Sequence, residues 1–230
     1  MSIENVVTKF YTSMTHDQNH RYLSWEHCFN YFNRERCNQD IDTACLHLSF
    51  YLASWGMYRG SSALLWKDYK VHKEVVELIL DDKNKILQHI EFNAIDAEHI
   101  IILKDTIRSI YNKKITCVDG REKDYYASDT LITKILLGTL GCVPAYDRFF
   151  LKGLDLCEIK PKTFNQKSVK ELFDFYNKPE NKDQIDKISE KTNYPIMKIL
   201  DMYFFKLGLD YYINKEKIKQ EEKERKKLYE

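Results

Sequence analysis

The sequence predicts an all-α protein of about ten helices in two packed lobes with a cleft between them. Apolar residues recur at helical spacing along most of the 230 residues. Only 7 Gly and 4 Pro punctuate the chain, too few for an all-β or loop-rich fold. Hydrophobic residues at 43% and aromatics at 13% supply a core and exclude intrinsic disorder. A chain of this length buries roughly 70–75% of its unfolded surface.

The first helix is predicted from Ile3, Val6, Val7, Phe10, Tyr11 and Met14, and it ends near the polar residues 16–20. Tyr22, Trp25, Phe29 and Phe32 repeat the spacing in a second. A third starts at Asp40 to Asp42, carries Ala44, Cys45, Leu48 and Leu52 inward, and breaks at Gly56. The connector 56–60 leads to Ser61 and Ser62, caps for a helix containing Leu64 and Leu65. Helical patterns follow at about 72–80, 84–93 and 97–112.

Residues 115–126 read as a hairpin, a turn or a lobe junction, dividing an N-terminal lobe, 1–114, from a C-terminal lobe, 115–230. Ser128 and Asp129 cap a helix whose Leu131, Ile132, Ile135, Leu136 and Leu140 face a core, and Gly138 and Gly141 loosen its end. Pro144 suits the first turn of a new helix, which would set Asp147 about one turn in, beside Arg148. A loop is expected over 153–167, then helices at 168–177, 181–191 and 195–213. The last is apolar nearly all round, so it is central or packs on a partner. Residues 215–230 read as an exposed, mixed-charge helix.

Charged residues make up 31% of the chain yet balance to +1, so bulk charge announces neither nucleic acid nor membrane. The 6 cysteines form no CxxC pair and the N-terminus has no signal-peptide pattern, which predicts reduced thiols in a cytoplasmic protein. No apolar run reaches the roughly 18–20 residues that span a bilayer. His16 and His20 are four apart but lack acidic or cysteine partners, so no metal is expected, and no cofactor either.

Asp147 is the leading candidate for chemistry. A carboxylate in an apolar, water-poor surround at a helix start can stabilise developing positive charge or orient a water. It can equally be a structural fitting that pairs with Arg148, Lys134 or the helix N-terminus. The second candidate is the stretch 55–62, where Gly56 and Gly60 bracket Tyr58 and Arg59. Backbone N–H groups, Arg59 and the Ser61 cap would hold a phosphate there, and Trp55 or Tyr58 would stack on a base. The alternative is a plain connector with core aromatics. Trp25, on the second helix, is a further candidate for the pocket wall.

Residues 133–136 and Val143 to Arg148 resemble the second half of the helix-hairpin-helix DNA glycosylases. In that superfamily a helix of this kind leads through a proline-containing turn to an aspartate at the next helix start. The resemblance covers about 20 residues. It implies base excision on DNA: the nucleotide is flipped out, and the aspartate, matched by Asp147, supports cleavage of the N-glycosidic bond. The family's lyase lysine has no counterpart, since Ser128 stands near its place, so the implied enzyme is monofunctional. The family's glycine-rich hairpin, which clamps a DNA phosphate, is not reproduced between Ile115 and Leu140.

The favoured function is therefore a DNA-base-processing enzyme, in repair or in defence against foreign DNA. Arg59, Tyr58, Trp55, Ser61, Trp25 and Arg148 would bind the substrate. The alternatives are a non-enzymatic helical interaction or dimerisation module, and another nucleotide or nucleoside hydrolase.

Overall fold

The computed structural model describes residues 2–34, 40–60, 62–116, 120–160 and 162–228. The all-α class is the one the sequence predicts. The helices are α1 (Ile3–Thr15), α2 (Ser24–Phe32), α3 (Ile41–Ser54), α4 (Lys73–Leu80), α5 (Asp82–Lys85) and α6 (Ala94–Tyr111), then α7 (Asp129–Thr139), α8 (Arg148–Leu156), α9 (Gln166–Asn177), α10 (Pro179–Thr192) and α11 (Ile196–Leu228). Between α6 and α7, the short strands β1 (Lys114–Thr116) and β2 (Glu122–Asp124) pair antiparallel, Lys114 opposite Asp124. Cys117, Val118 and Asp119 lie outside the described residues.

Capping side chains fix most helix starts. Ser2, Asp40, Ser128 and Asp147 each accept a backbone N–H from the first turn. Asn93 and Asp96 form a reciprocal box at the start of α6. Pro179 opens α10, where its missing N–H costs nothing.

Some boundaries differ from expectation. Pro144 does not start a helix: residues 141–147 are non-helical, and α8 begins only at Arg148, with Asp147 as its cap. Backbone groups of Ala145 and Tyr146 are held by side chains of α7 and α11, which keeps the segment extended. The stretch expected as a loop from 153 is helical to Leu156. The pattern at 84–93 becomes the single turn of α5 followed by a 3₁₀ turn (Ile86–His89).

α7 and the first part of α11 run through the centre. Every residue from Leu131 to Thr139 is buried, and so is every residue of α11 from Met197 to Phe205. Helices apolar on all sides require this placement. From Lys215 to Glu224 the same helix is fully exposed. The core is continuous across the 114/115 boundary: Trp25 Nε1 donates to Leu137 O at 2.9 Å, and Phe10 stacks on Phe205 with ring centroids 6.0 Å apart.

α8 crosses α11 at backbone contact. A Cβ added to Gly153 would lie 2.0 Å from Phe204 O, and one added to Gly208 would lie 1.9 Å from Phe149 O. Glycine is what lets α8 dock so closely, and α8 carries the cap Asp147.

A buried histidine ties α6 to the segment after α3. His72 Nδ1 lies 2.5 Å from Tyr111 Oη, and Nε2 lies 2.7 Å from Tyr58 Oη, whose hydroxyl donates to Ser49 Oγ. Burial pushes the His72 pKa down from 6.5 to about 3. Between about pH 3 and pH 6.5 the unfolded chain therefore binds up to one more proton than the native state. Stability should fall as pH drops from 6.5 toward 3, by up to about 1.4 kcal/mol per pH unit from this group. Urea unfolding of His72→Gln at several pH values should show that slope reduced; an unchanged slope would mean His72 is charged in the fold.

Candidate functional site

The site is assembled around α7. Lys134, in the middle of an otherwise apolar helix, is 2% exposed. A buried ammonium needs a counter-charge, and the residue that supplies it is Asp147: Nζ to Oδ2 is 3.2 Å. The other carboxylate oxygen, Oδ1, accepts the backbone N–H groups of Phe149 at 3.0 Å and Phe150 at 3.1 Å. The carboxylate thus sits at the positive end of α8 with a lysine on its second oxygen.

The turn that delivers Asp147 is fastened from two helices. Gly141, at φ +65°, ends α7 in the left-handed conformation that side-chain-bearing residues avoid. Tyr146 N–H donates to Thr133 Oγ1 at 2.9 Å, and Thr130 Oγ1 donates to Tyr146 O at 2.9 Å. Ala145 N–H donates to Asp201 Oδ1 at 3.0 Å, while Asp201 Oδ2 pairs with Lys198 Nζ at 3.0 Å.

Two buried ion pairs therefore lie side by side, and aromatic rings bind them together. Lys134 Nζ is 4.7 Å from the Trp55 ring centroid. Lys198 Nζ is 4.9 Å from that of Trp25 and 5.9 Å from that of Trp55. Such cation–ring contacts gain strength when desolvated. Tyr22 stacks on Trp55 at 4.8 Å with planes 11° apart, and the Arg21 guanidinium lies over both rings. Trp55 Nε1 is buried with no hydrogen-bond partner among the described residues.

Side-chain exposure ranks the four charges. Lys134 is 3% exposed, Lys198 7% and Asp201 8%, whereas Asp147 is 15% exposed. Asp147 is thus the carboxylate nearest to solvent. Burial raises the Tyr22 hydroxyl pKa, Arg21 offsets part of the rise, and the Asp147 charge adds to it. Tyr51, packed on Gly138, is raised by burial first and then by the Asp201 charge, with smaller contributions from Cys28 and Asp147. Both tyrosines are neutral around neutral pH.

Of the residues expected at the site, Trp55 is brought to Asp147, through Lys134. Trp25 is 1% exposed, stacked on Phe29, with its N–H on Leu137. Tyr58 is engaged with Ser49 and His72. Arg148 reaches over the rings of Phe149 and Tyr212 and does not pair with Asp147. Ser61 lies outside the described residues, while Ser62 caps a 3₁₀ turn (Ala63–Trp66). Arg59 folds over Gly56 and lines a separate cleft of about 360 Å³ with Ser62, Lys123, Tyr126 and Ser128.

Lys198, Asp201 and Thr133 were not singled out by the sequence reading. The signal for the first two is a lysine and an aspartate three apart inside an apolar helical stretch, which solvent exposure cannot explain. Among the described residues, no three His, Cys, Asp or Glu side chains group closely enough to hold a metal, and no helix is long and apolar enough to cross a membrane. Burial raises the thiol pKa of Cys28, brings that of Cys45 to about 11 and that of Cys142 to about 12, so none of these is a ready nucleophile. Comparison of the chain with family models, with curated proteins and with solved structures finds no match in any of the three.

Proposed function

We propose that Asp147 and its surround form the centre of a DNA-base-processing enzyme, a monofunctional hydrolase of N-glycosidic bonds of the glycosylase kind. The observation that carries this reading is the fixation of the carboxylate. Two backbone N–H groups and Lys134 hold it, its turn is anchored to α7 and α11, and it keeps partial access to solvent. A preoriented anion in a water-poor site is what a positively charged sugar transition state needs, because the site need not reorganise as charge develops. In the reaction the bond from C1′ to the base nitrogen breaks and the base leaves with that electron pair. Water supplies hydroxide to C1′ and a proton to the base, with Asp147 stabilising the sugar cation and orienting the water. The setting would be DNA repair or defence against foreign DNA, in the cytoplasm, where free thiols such as Cys28 and Cys45 stay reduced.

The test is base release. The protein is incubated with duplex and single-stranded DNA carrying varied modified bases, then alkali, and strand breaks at abasic sites are counted. Asp147→Asn should lower release by about two to three orders of magnitude with DNA affinity retained. Release near the wild-type rate in that variant removes Asp147 from the mechanism, and no release by the wild type from any substrate defeats the reading.

One observation favours a second reading, a non-enzymatic helical module. Both Asp147 oxygens are already occupied, and Trp55 is already stacked by Tyr22. On that reading the cluster fixes helix register, and Asp147→Asn changes stability alone.

A further inference from the structure

We infer that the face formed by residues 57–60, 62–73, 113–116 and 120–126 is a binding surface for a single strand of DNA. Two clefts adjoin there and share Tyr125 as a wall. The first, about 360 Å³, presents Arg59 and Lys123. The second, about 400 Å³, presents Lys67, Lys70, Lys73, Lys113 and Lys114 over a floor that includes Leu64, Val71 and Ile110. Against these seven cations stand only Asp124, Asp68 and Glu74 among the lining residues. Seven cations against three carboxylates line the two clefts; Asp42, Glu77 and Glu122 lie beyond the lining, in exposed pairs with three of the lysines. A polyanion is the complement of such a concentration.

The state of the cations supports an unfilled role. Arg59, Lys67 and Lys123 are exposed and make no ion pair with any described residue. The other four lysines reach carboxylates at 2.6 to 3.9 Å, all in exposed pairs: Lys113 with Glu74, Lys114 with Glu122, Lys70 with Asp42, Lys73 with Glu77. Exposed pairs of this kind are weak and exchange readily for phosphate oxygens. Serine hydroxyls at Ser62 and Ser128 add hydrogen-bonding groups in the first cleft.

Aromatic rings decide between single and double strands. Tyr126, in the first cleft, is 73% exposed, and Trp66, next to Lys67, is 43% exposed. Exposed rings set among cations stack on unpaired bases, whose faces a duplex hides. The inference deepens the base-processing reading by naming the form of its substrate, and rests on it for the choice of DNA over RNA.

Fluorescence anisotropy with a labelled mixed-sequence DNA oligonucleotide, its duplex, the matching RNA and polyglutamate as a competitor tests this. The single strand should bind tighter than the duplex and resist polyglutamate. The triple variant Arg59→Ala, Lys67→Ala, Lys123→Ala should bind at least about ten-fold more weakly, with the slope of log K against log salt reduced by about 2, since each phosphate contact on a single strand contributes about 0.7. Trp66→Ala with Tyr126→Ala should lose about ten-fold or more for the single strand and little for the duplex. Circular dichroism confirms that these surface variants fold. Wild-type affinity and slope in the triple variant, equal displacement by polyglutamate, or preference for duplex or RNA would each overturn the proposal. Base release is measured separately: binding lost as expected without any base release leaves the surface standing and removes the enzyme, and base release with binding unaffected by the variants does the reverse.

Discussion

Gly208→Ala is expected to destabilise the protein by about 3 kcal/mol or more, the largest effect of any single-methyl change we foresee. In an isolated helix the substitution would help, since alanine is favoured over glycine by about 1 kcal/mol. Here the added carbon would lie 1.9 Å from Phe149 O, a backbone atom that cannot swing aside as a side chain could. α8 and α11 would have to separate, and that opens the packing of Phe149, Phe150, Phe204 and Phe205 along the whole crossing. For a chain of this size the loss corresponds to a fall of about 6–12 °C in Tm. Gly153→Ala, facing Phe204 O, should behave alike. A calorimetric Tm equal to or above the wild-type value would show that the two backbones do not touch. Because Phe149 N–H is one of the donors to Asp147, the same variant should disturb the candidate site from about a helix turn away.

Lys134→Met should cost about 3 kcal/mol, at the lower end of what removing one partner of a buried pair costs. Methionine retains the apolar stem, so packing is largely conserved and the loss isolates the charge. Asp147 would keep its two backbone donors but leave Oδ2 without the ammonium that pairs with it. Adding Asp147→Asn to Lys134→Met should recover part of that loss, because no unpaired charge remains. Urea unfolding of both single variants and the double variant closes the cycle, with a coupling of about 1–3 kcal/mol expected. A coupling near zero would mean the pair is solvated and contributes neither to the fold nor to the electrostatics of the site.

What was legible in the sequence follows the physics of each element. Helices with one apolar face, such as α1, α3 and α6, could be read from spacing, and α3 also from its cap Asp40. Short or strained pieces could not. The pattern at 84–93 has helical spacing, but the chain turns after one α-helical turn, and nothing local distinguishes a 3₁₀ continuation from an α-helical one. Pro144 carries a local preference for a helix start, and tertiary hydrogen bonds from Thr133 and Asp201 to the following residues override it. At the site, Asp147 was legible as a carboxylate near a helix start, paired with Lys134 or the helix N-terminus, though set a turn inside the helix and not at its cap. The second ion pair was not, because Lys198 and Asp201 are about fifty residues away in sequence and reach the turn only through the docking of α11. Tyr58 shows the same limit: an aromatic in a glycine-bracketed loop reads as a ligand contact, yet its hydroxyl completes the buried chain to His72 and Tyr111.

The anchoring of residues 144–147 has one further bearing. Thr133 and Lys134 reach the segment from α7, Asp201 reaches it from α11, and α8 supplies the N–H groups that Asp147 caps. No local unit of the chain contains all of these groups. A collapsed intermediate with its helices formed but not docked would hold every donor and acceptor and still have no site, since only the cap bonds of Asp147 and the Lys198–Asp201 pair would be within reach. The carboxylate's geometry is thus a property of the last docking events of folding, and it disappears with the first cooperative loosening of α11 from the centre.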